Sequence, residues 1–317
     1  MSIRNSKFEK SMSLFEIKPT DGNVINEIFY NDFDTTWHHR IKADEHGGRS
    51  WTLVPGEHSI DDGSVTYKYN NEYFRCDDFK KEHDGLHILF AGCSETEGMG
   101  GQLEDSWGKI LLQRISKSNK VDGYFSLAKA GYGWQKIITQ TRVYIDKYGK
   151  PDILFVLLPN IGRLIRWSNA KNDWMYEQSY PNFELSNMNT LIDNLGEGKD
   201  SAPNSMSPEQ YRTTFIDFVI SWRLFEDFCK ASGIDLVWGT WEQIDNYNIN
   251  NLKDHDLFKY FIPISIDKFE QQLRTRDLND KLKEFDLEKR DGHHGRLFHE
   301  FWADEFINES INRKIIK

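Results

Sequence analysis

From residue 85 onward, short apolar runs alternate with longer segments in which apolar residues recur at helical spacing. The strand-like runs are residues 86–91, 123–128, 152–158 and 234–239. The helix-like runs are residues 106–117, 134–148, 208–231 and 297–312. Such alternation predicts a parallel sheet covered by helices. We therefore predict an α/β fold with a mostly parallel central sheet.

Two regions depart from this rhythm. Residues 1–84 are rich in Asp, Asn, Gly and aromatic residues, and Val65–Tyr69 alternates like a short strand. We interpret residues 1–84 as an N-terminal extension of short strands and loops, packed on a main domain formed by residues 85–317. Residues 160–207 follow a strand and show little periodicity, which indicates an irregular insert that could serve as a lid or a substrate wall.

Charge and composition narrow the class of protein. A net charge of −10 argues against a sequence-independent grip on nucleic acid. The longest apolar stretch, Ile153–Leu158, is too short to span a bilayer, and residues 1–19 lack the apolar core of a signal peptide. Three cysteines cannot form a disulfide framework. We therefore expect a cytoplasmic protein without nucleic-acid or membrane partners, although the high Asn, Lys, Ile and Asp content would also suit a virion-associated one.

Ser94 directly follows the first predicted strand of the main domain, within Gly92-Cys93-Ser94-Glu95-Thr96. Open α/β sheets bind ligands at the carboxyl ends of their strands, which makes Ser94 a candidate nucleophile. The alternative is an ordinary Ser in a glycine-rich connection. The glycines at 98, 100 and 101 do not form a phosphate-binding loop, because the Gly-Lys-Ser/Thr ending is absent.

Asp291-Gly292-His293-His294 stands just before the last predicted helix. A neutral His is a suitable general base near neutral pH, and a nearby carboxylate such as Asp291 can orient it. A polar turn that caps the helix is one alternative. A metal site formed with His299 is another, although the segment matches no familiar ligand motif.

Two further positions follow predicted strands. The side-chain amide of Asn160 could donate to a developing oxyanion, and Gly131 could offer a backbone N–H to the same oxygen. Both residue types are also common in ordinary turns.

The chain order Ser94, Gly131, Asn160 and Asp291–His294 resembles that of the SGNH (GDSL-type) hydrolase superfamily. Residues 92–96 resemble the Gly-Asp-Ser block, with Cys93 in the Asp position. Residues 126–133 resemble the second block, with Ser126 and Ala128 where Asn and Gly are usual. Residues 151–160 and 291–294 resemble the third block and the Asp-x-x-His block. Residues 70–79 resemble an upstream segment found in one branch of the superfamily.

This resemblance implies a flavodoxin-like three-layer α/β/α sandwich and a serine esterase or deacylase that needs no cofactor or metal. Ser94 would be the nucleophile, His294 the general base and Asp291 its orienting carboxylate. The oxyanion hole would consist of the backbone N–H groups of Ser94 and Gly131 with the side chain of Asn160. His293 is the rival base.

The expected substrate is a short acyl ester, on a carbohydrate or another small molecule. A non-catalytic structural or carbohydrate-binding module that retains the fold is the alternative. The altered second block favours it, and so does the third block, which reads Leu158-Pro159-Asn160-Ile161 where Gly-x-Asn-Asp is usual.

Overall fold

The computed structural model describes residues 56–60, 65–168, 173–178, 180–181, 205–206, 208–242, 249, 252, 258, 260–262 and 293–316. A five-stranded, all-parallel sheet lies at its centre. Its strands are β3 (Ile88–Gly92), β4 (Phe125–Ser126), β5 (Ile153–Leu158), β10 (Asp235–Thr240) and β11 (Phe261–Ile262). The predicted α/β class and the parallel central sheet are confirmed.

The strand order in this sheet is β4-β3-β5-β10-β11. The chain therefore winds outward in both directions from the boundary between β3 and β5. In doubly wound sheets this boundary is the topological switch point, where a crevice opens at the carboxyl ends of the strands. Ser94 follows β3 and Asn160 follows β5, so both lie at this crevice.

The described residues include five α-helices. Their bounds are α1 Ser94–Glu97, α2 Trp107–Ile115, α3 Trp134–Tyr148, α4 Pro208–Ala231 and α5 Arg296–Asn312. A 3₁₀ turn at Leu103–Asp105 precedes α2. The Ser106 side chain caps α2 by accepting a hydrogen bond from the Lys109 N–H.

The side chains of the central strands alternate between two hydrophobic clusters, as the pleat of a strand requires. One cluster combines alternate residues of β3, β5 and β10 with α3 and α4. Its strand members include Leu89, Ala91, Leu154, Val156, Leu236 and Trp238. The other cluster combines the intervening strand residues with α2 and α5. Its members include Ile88, Phe90, Phe155, Trp107, Phe298 and Trp302. Apolar side chains are thus buried away from water on both faces of the sheet.

Antiparallel hairpins lie outside the central sheet. β1 (Gly56–Ile60) pairs with β2 (Val65–Tyr69), as the alternation of residues 65–69 predicts for one strand. Within the insert, β6 (Arg163–Ser168) pairs with β7 (Asp173–Gln178), where the sequence predicts little regular structure. For β6 and β7, backbone pairing between the two strands, rather than a clear period of two in the sequence, defines the hairpin.

The described part of the insert also contains two short strands, β8 (Tyr180–Pro181) and β9 (Ser205–Met206), which pair in parallel. Among the described residues, no helix combines the length and the apolar character needed to cross a lipid bilayer.

Candidate active site

Ser94 is the first residue of α1, at a sharp turn after β3. The turn requires glycine at position 92, because a Cβ there would lie 2.0 Å from Thr96 Oγ1 and 2.8 Å from the Leu157 carbonyl oxygen. Ser94 is 5% exposed. Its Oγ makes a long contact of 4.0 Å to the Cys93 Sγ, which is a weak acceptor.

His294 lies directly beside this turn. Its Nδ1 is 2.9 Å from Glu95 Oε1, across a sequence separation of 199 residues. The imidazole also stacks on Phe298, with 4.1 Å between ring centroids, and meets Trp302 edge to face. A carboxylate at Nδ1 leaves Nε2 as the nitrogen that can exchange a proton with a bound group.

Glu95 is ionised in this environment. Burial acts to raise the pKa of its carboxyl, but the hydrogen bond from His294 and the positive charge that the neighbouring histidines carry when protonated outweigh burial and lower the pKa. His299 Nε2 lies 4.0 Å from Glu95 Oε2. Burial lowers the pKa of His299 to about 4, so His299 is neutral at neutral pH.

The other two predicted members of the motif are Asp291 and His293. Asp291 lies outside the described residues, so its role as the orienting carboxylate stays a prediction. His293 is half-buried, and burial is the main cause that lowers its pKa. Glu95 therefore supplies the described carboxylate partner of His294. This role was not predicted from the sequence, although an acidic residue beside a candidate nucleophile was a signal for it.

Asn160 lies at the opposite side of the crevice and is 1% exposed. Its Oδ1 accepts a hydrogen bond of 2.6 Å from the Gly162 N–H. This bond fixes the plane of the amide, so that Nδ2 is the group that can donate to a substrate oxygen. The turn is closed by a second bond from the Arg163 N–H to the Asn160 carbonyl.

Gly131 has a φ of 84°, in the left-handed region that favours glycine. The preceding residue is tied to α1, because the Ala130 N–H donates to Glu97 Oε2 at 2.6 Å. Glu97 Oε1 in turn accepts from the Tyr69 hydroxyl at 3.0 Å. The buried Glu97 side chain thus links α1 to the turn that presents Gly131, a role that was not predicted from the sequence.

Arg75 holds the glycine-rich loop after α1. Its guanidinium is buried and donates to the carbonyl oxygens of Thr66, Gly98 and Gly101, at 2.6 to 3.0 Å. Arg75 belongs to the upstream segment 70–79, so that segment positions the loop around the site.

A cavity of about 260 Å³ opens beside His294. Loop 98–102, the start of α2 and the beginning of α5 form its wall. Its polar lining residues are Gln102, Asp105, Ser106, His294, Arg296 and His299.

The described residues contain no group of three or more His, Cys, Asp or Glu side chains arranged to hold a metal ion. Asp291, a member of the candidate metal set, is not among them. No protein-family model matches the chain, and no curated protein matches it.

Proposed function

We propose that the protein is an SGNH-type serine esterase or deacylase that hydrolyses a short acyl ester, with a carbohydrate as the expected alcohol partner. One observation supports this most strongly. A histidine contacts, through its Nδ1, the buried carboxylate of the residue that directly follows a serine at the end of the switch-point strand. A carboxylate–histidine pair next to a hydroxyl is the arrangement that nucleophilic acyl transfer needs.

In the proposed mechanism, Ser94 Oγ attacks the acyl carbon while His294 Nε2 takes the hydroxyl proton. Glu95 holds Nδ1–H and stabilises the imidazolium that forms. Asp291, which the resemblance implies as the orienting carboxylate, would help to orient the same imidazole ring. His294 then gives the proton to the leaving alcohol, and water hydrolyses the acyl-enzyme by the reverse sequence of proton transfers. General base catalysis of this kind contributes about 10²–10⁴-fold.

The oxyanion would be held by the backbone N–H groups of Ser94 and Gly131 together with Asn160 Nδ2. Each such donor is worth about 10²–10³-fold in kcat. For the attack, Ser94 Oγ turns from Cys93 Sγ toward His294 Nε2. Catalytic hydrogen bonds often shorten in this way only when substrate is bound.

The rest of the proposed architecture follows from the same resemblance. The two hydrophobic clusters support a three-layer α/β/α domain over residues 85–317. Residues 1–84 would be an extension packed on that domain. The polar cavity beside His294 would accept the hydroxyl-rich alcohol part of the substrate.

Turnover of p-nitrophenyl acetate and of an acetylated sugar tests the proposal. We expect hydrolysis by the wild type and by Ser116→Ala, whose exposed hydroxyl bonds only its own helix among the described residues. We expect Ser94→Ala and His294→Gln to lose at least about 10²-fold in kcat. Equal rates for Ser94→Ala and Ser116→Ala would contradict the proposal.

A non-catalytic binding module of the same fold is the second candidate. The observation that favours it is the position of Ser94 Oγ, which is buried and directed at Cys93. For such a module, acetylated sugars would bind and remain intact, and Ser94→Ala would bind them equally well.

A further inference from the structure

The cavity beside His294 shares one residue with the proposed catalytic machinery. His294 forms part of its wall. The wall does not include the other described candidates, Ser94, Gly131 and Asn160. In acyl transfer the general base gives its proton to the departing alcohol oxygen, while the nucleophile and the oxyanion donors hold the acyl carbon and its oxygen. A cavity that shares only the base with this machinery therefore lies on the alcohol side of the ester.

The lining of this cavity suits a polar ligand rather than a lipid chain. Among the described residues, Val65 is the one that contributes an aliphatic side chain to the wall, and the others are glycines or polar residues. The volume of about 260 Å³ equals that of about nine water molecules at roughly 30 Å³ each. One sugar ring with its hydroxyl groups is a ligand of this size and polarity.

An ion pair in the wall offers a hydrogen-bond acceptor and a donor side by side. Arg296 Nη1 donates to Asp105 Oδ1 at 2.8 Å, and Arg296 Nε donates to Glu300 Oε1 at 2.9 Å. The side chains of Asp105 and Arg296 are 31% and 59% exposed, so a ligand can reach both. Because a carboxylate has two oxygens and a guanidinium has five N–H groups, the pair retains capacity for further hydrogen bonds. Two neighbouring hydroxyl groups match it, since one donates to Asp105 and the other accepts from Arg296.

The glycine-rich loop of the wall is held in place by the protein itself. Arg75 donates to the carbonyl oxygens of Gly98 and Gly101, and the Gly100 N–H donates to the Tyr67 hydroxyl at 2.7 Å. Open space remains beside Gly101, because an added Cβ would meet no heavy atom within 4 Å. Gly101 also lacks the positive φ of Gly98 and Gly100, so a side chain there would not strain the backbone. The wall is therefore formed before a ligand binds, which lowers the entropic cost of binding.

We propose that this cavity binds the alcohol part of the substrate as a single sugar ring, and that Asp105 and Arg296 select this ring by binding two neighbouring hydroxyl groups. This inference rests on the proposed function and adds to it the residues that determine specificity. Each hydrogen bond between a hydroxyl and one of these charged groups should contribute about ten- to a hundredfold to kcat/KM.

A matched pair of acetates tests the role of the hydroxyl groups. One is glucose acetylated at its primary hydroxyl, here called acetylglucose, and the other is cyclohexylmethyl acetate. The two share the acyl group and a six-membered ring, but only acetylglucose carries ring hydroxyls. We expect the kcat/KM of the wild type to favour acetylglucose by about ten- to a hundredfold.

Asp105→Asn and Arg296→Gln should each remove most of this preference, mainly by raising KM for acetylglucose, because a contact far from the reacting atoms is made in the ground state as well. Arg114→Gln is the matched control. The Arg114–Asp304 ion pair also joins α2 to α5, but neither residue lines the cavity. The control should keep the wild-type preference. If the Asp105–Arg296 pair only held the fold together, its loss would lower both rates alike and leave the preference intact.

Gly101→Phe tests the position of the alcohol independently. The added ring should occupy the cavity and raise KM for acetylglucose by about tenfold or more, the worth of one lost hydrogen bond to a charged group. Methyl acetate, whose alcohol is too small to fill the cavity, should be affected much less. Equal changes in KM for the two esters would contradict this position.

Two results would overturn the inference while the proposed function stands: equal kcat/KM for acetylglucose and cyclohexylmethyl acetate, or a preference that Asp105→Asn and Arg296→Gln leave intact. If the wild type hydrolyses no ester, calorimetry with the amide analogue of acetylglucose separates the claims. Binding that Arg296→Gln weakens and Arg114→Gln retains would keep the sugar site and remove the esterase. No binding by the wild type would overturn both.

Discussion

Replacing Glu97 should damage both stability and catalysis, because its buried carboxylate joins three parts of the site. It accepts two hydrogen bonds, from the Ala130 N–H at 2.6 Å and from the Tyr69 hydroxyl at 3.0 Å, and it is 2% exposed. Leaving a buried hydrogen-bond donor without an acceptor costs about 1–3 kcal/mol, and Glu97→Ala would leave two such donors. Glu97→Ala should therefore lower the free energy of unfolding by about 3–5 kcal/mol. Glu97→Gln keeps one acceptor and should lose about 1–2 kcal/mol.

Urea unfolding followed by tryptophan fluorescence measures the loss. Glu104→Ala is the control, because Glu104 is exposed in the neighbouring 3₁₀ turn and should change stability by less than about 0.5 kcal/mol. Since the Ala130–Gly131 turn is released, kcat of folded Glu97→Ala should also fall by about 10²–10³-fold, the worth of one oxyanion donor. Equal midpoints for Glu97→Ala and Glu104→Ala would refute this reasoning.

The pH dependence of stability gives Glu97 a second signature. Burial raises the pKa of Glu97 in the folded state. Its contribution is therefore most favourable below the pKa of an unfolded Glu and is lost as pH rises through the folded pKa. Glu97→Gln, which does not titrate, should remove this part of the pH dependence.

Three other changes have distinct expected outcomes. Glu95→Gln should reduce kcat by about 10²–10⁴-fold with little effect on KM. The pKa of Glu95 is lower in the folded than in the unfolded state, so ionised Glu95 stabilises the fold above the unfolded pKa, and this stability is lost as pH falls through the folded pKa. Glu95→Gln should remove this pH-dependent part of the stability. As pH falls from about 6.5 to 4, the free energy of unfolding of the wild type should fall by up to about 3 kcal/mol, because His299, with a folded pKa of about 4, binds a proton only on unfolding. Urea titrations at each pH should show a flatter pH dependence for His299→Gln. Gly92→Ala should cost about 1–3 kcal/mol in thermal unfolding, because the new Cβ would lie 2.8 Å from the Leu157 carbonyl oxygen.

Much of the fold was predictable because its core segments are strongly patterned. The helices Trp134–Tyr148 and Pro208–Ala231 have the bounds that the periodicity predicts, and the buried strand Ile153–Leu158 begins one residue later than predicted. The strands at the edges of the sheet were harder to predict from the sequence. Only Phe125–Ser126 of the predicted run 123–128 pairs as a strand, and the two-residue strand Phe261–Ile262 is too short to give a pattern.

The site was predictable only where topology determines it. Ser94 and Asn160 follow strands, so their meeting at one edge follows from a parallel sheet. The roles of Glu95 and Glu97 depend on contacts with His294 and Ala130, which lie 199 and 33 residues further along the chain. Local sequence shows these acids only as polar residues in a turn. Arg75 lies in the segment 70–79 that carries part of the resemblance, but its hydrogen bonds to the loop carbonyls could not be predicted from the sequence.

The nucleophile is the central claim of this account, and covalent labelling tests it most directly. The protein is treated with a fluorophosphonate, digested, and the modified residue is identified by mass spectrometry. We predict a single adduct on Ser94 that is absent from Ser94→Ala and forms more slowly on Glu95→Gln. An adduct on another residue such as Cys93, or none on a protein that hydrolyses esters, would contradict the account.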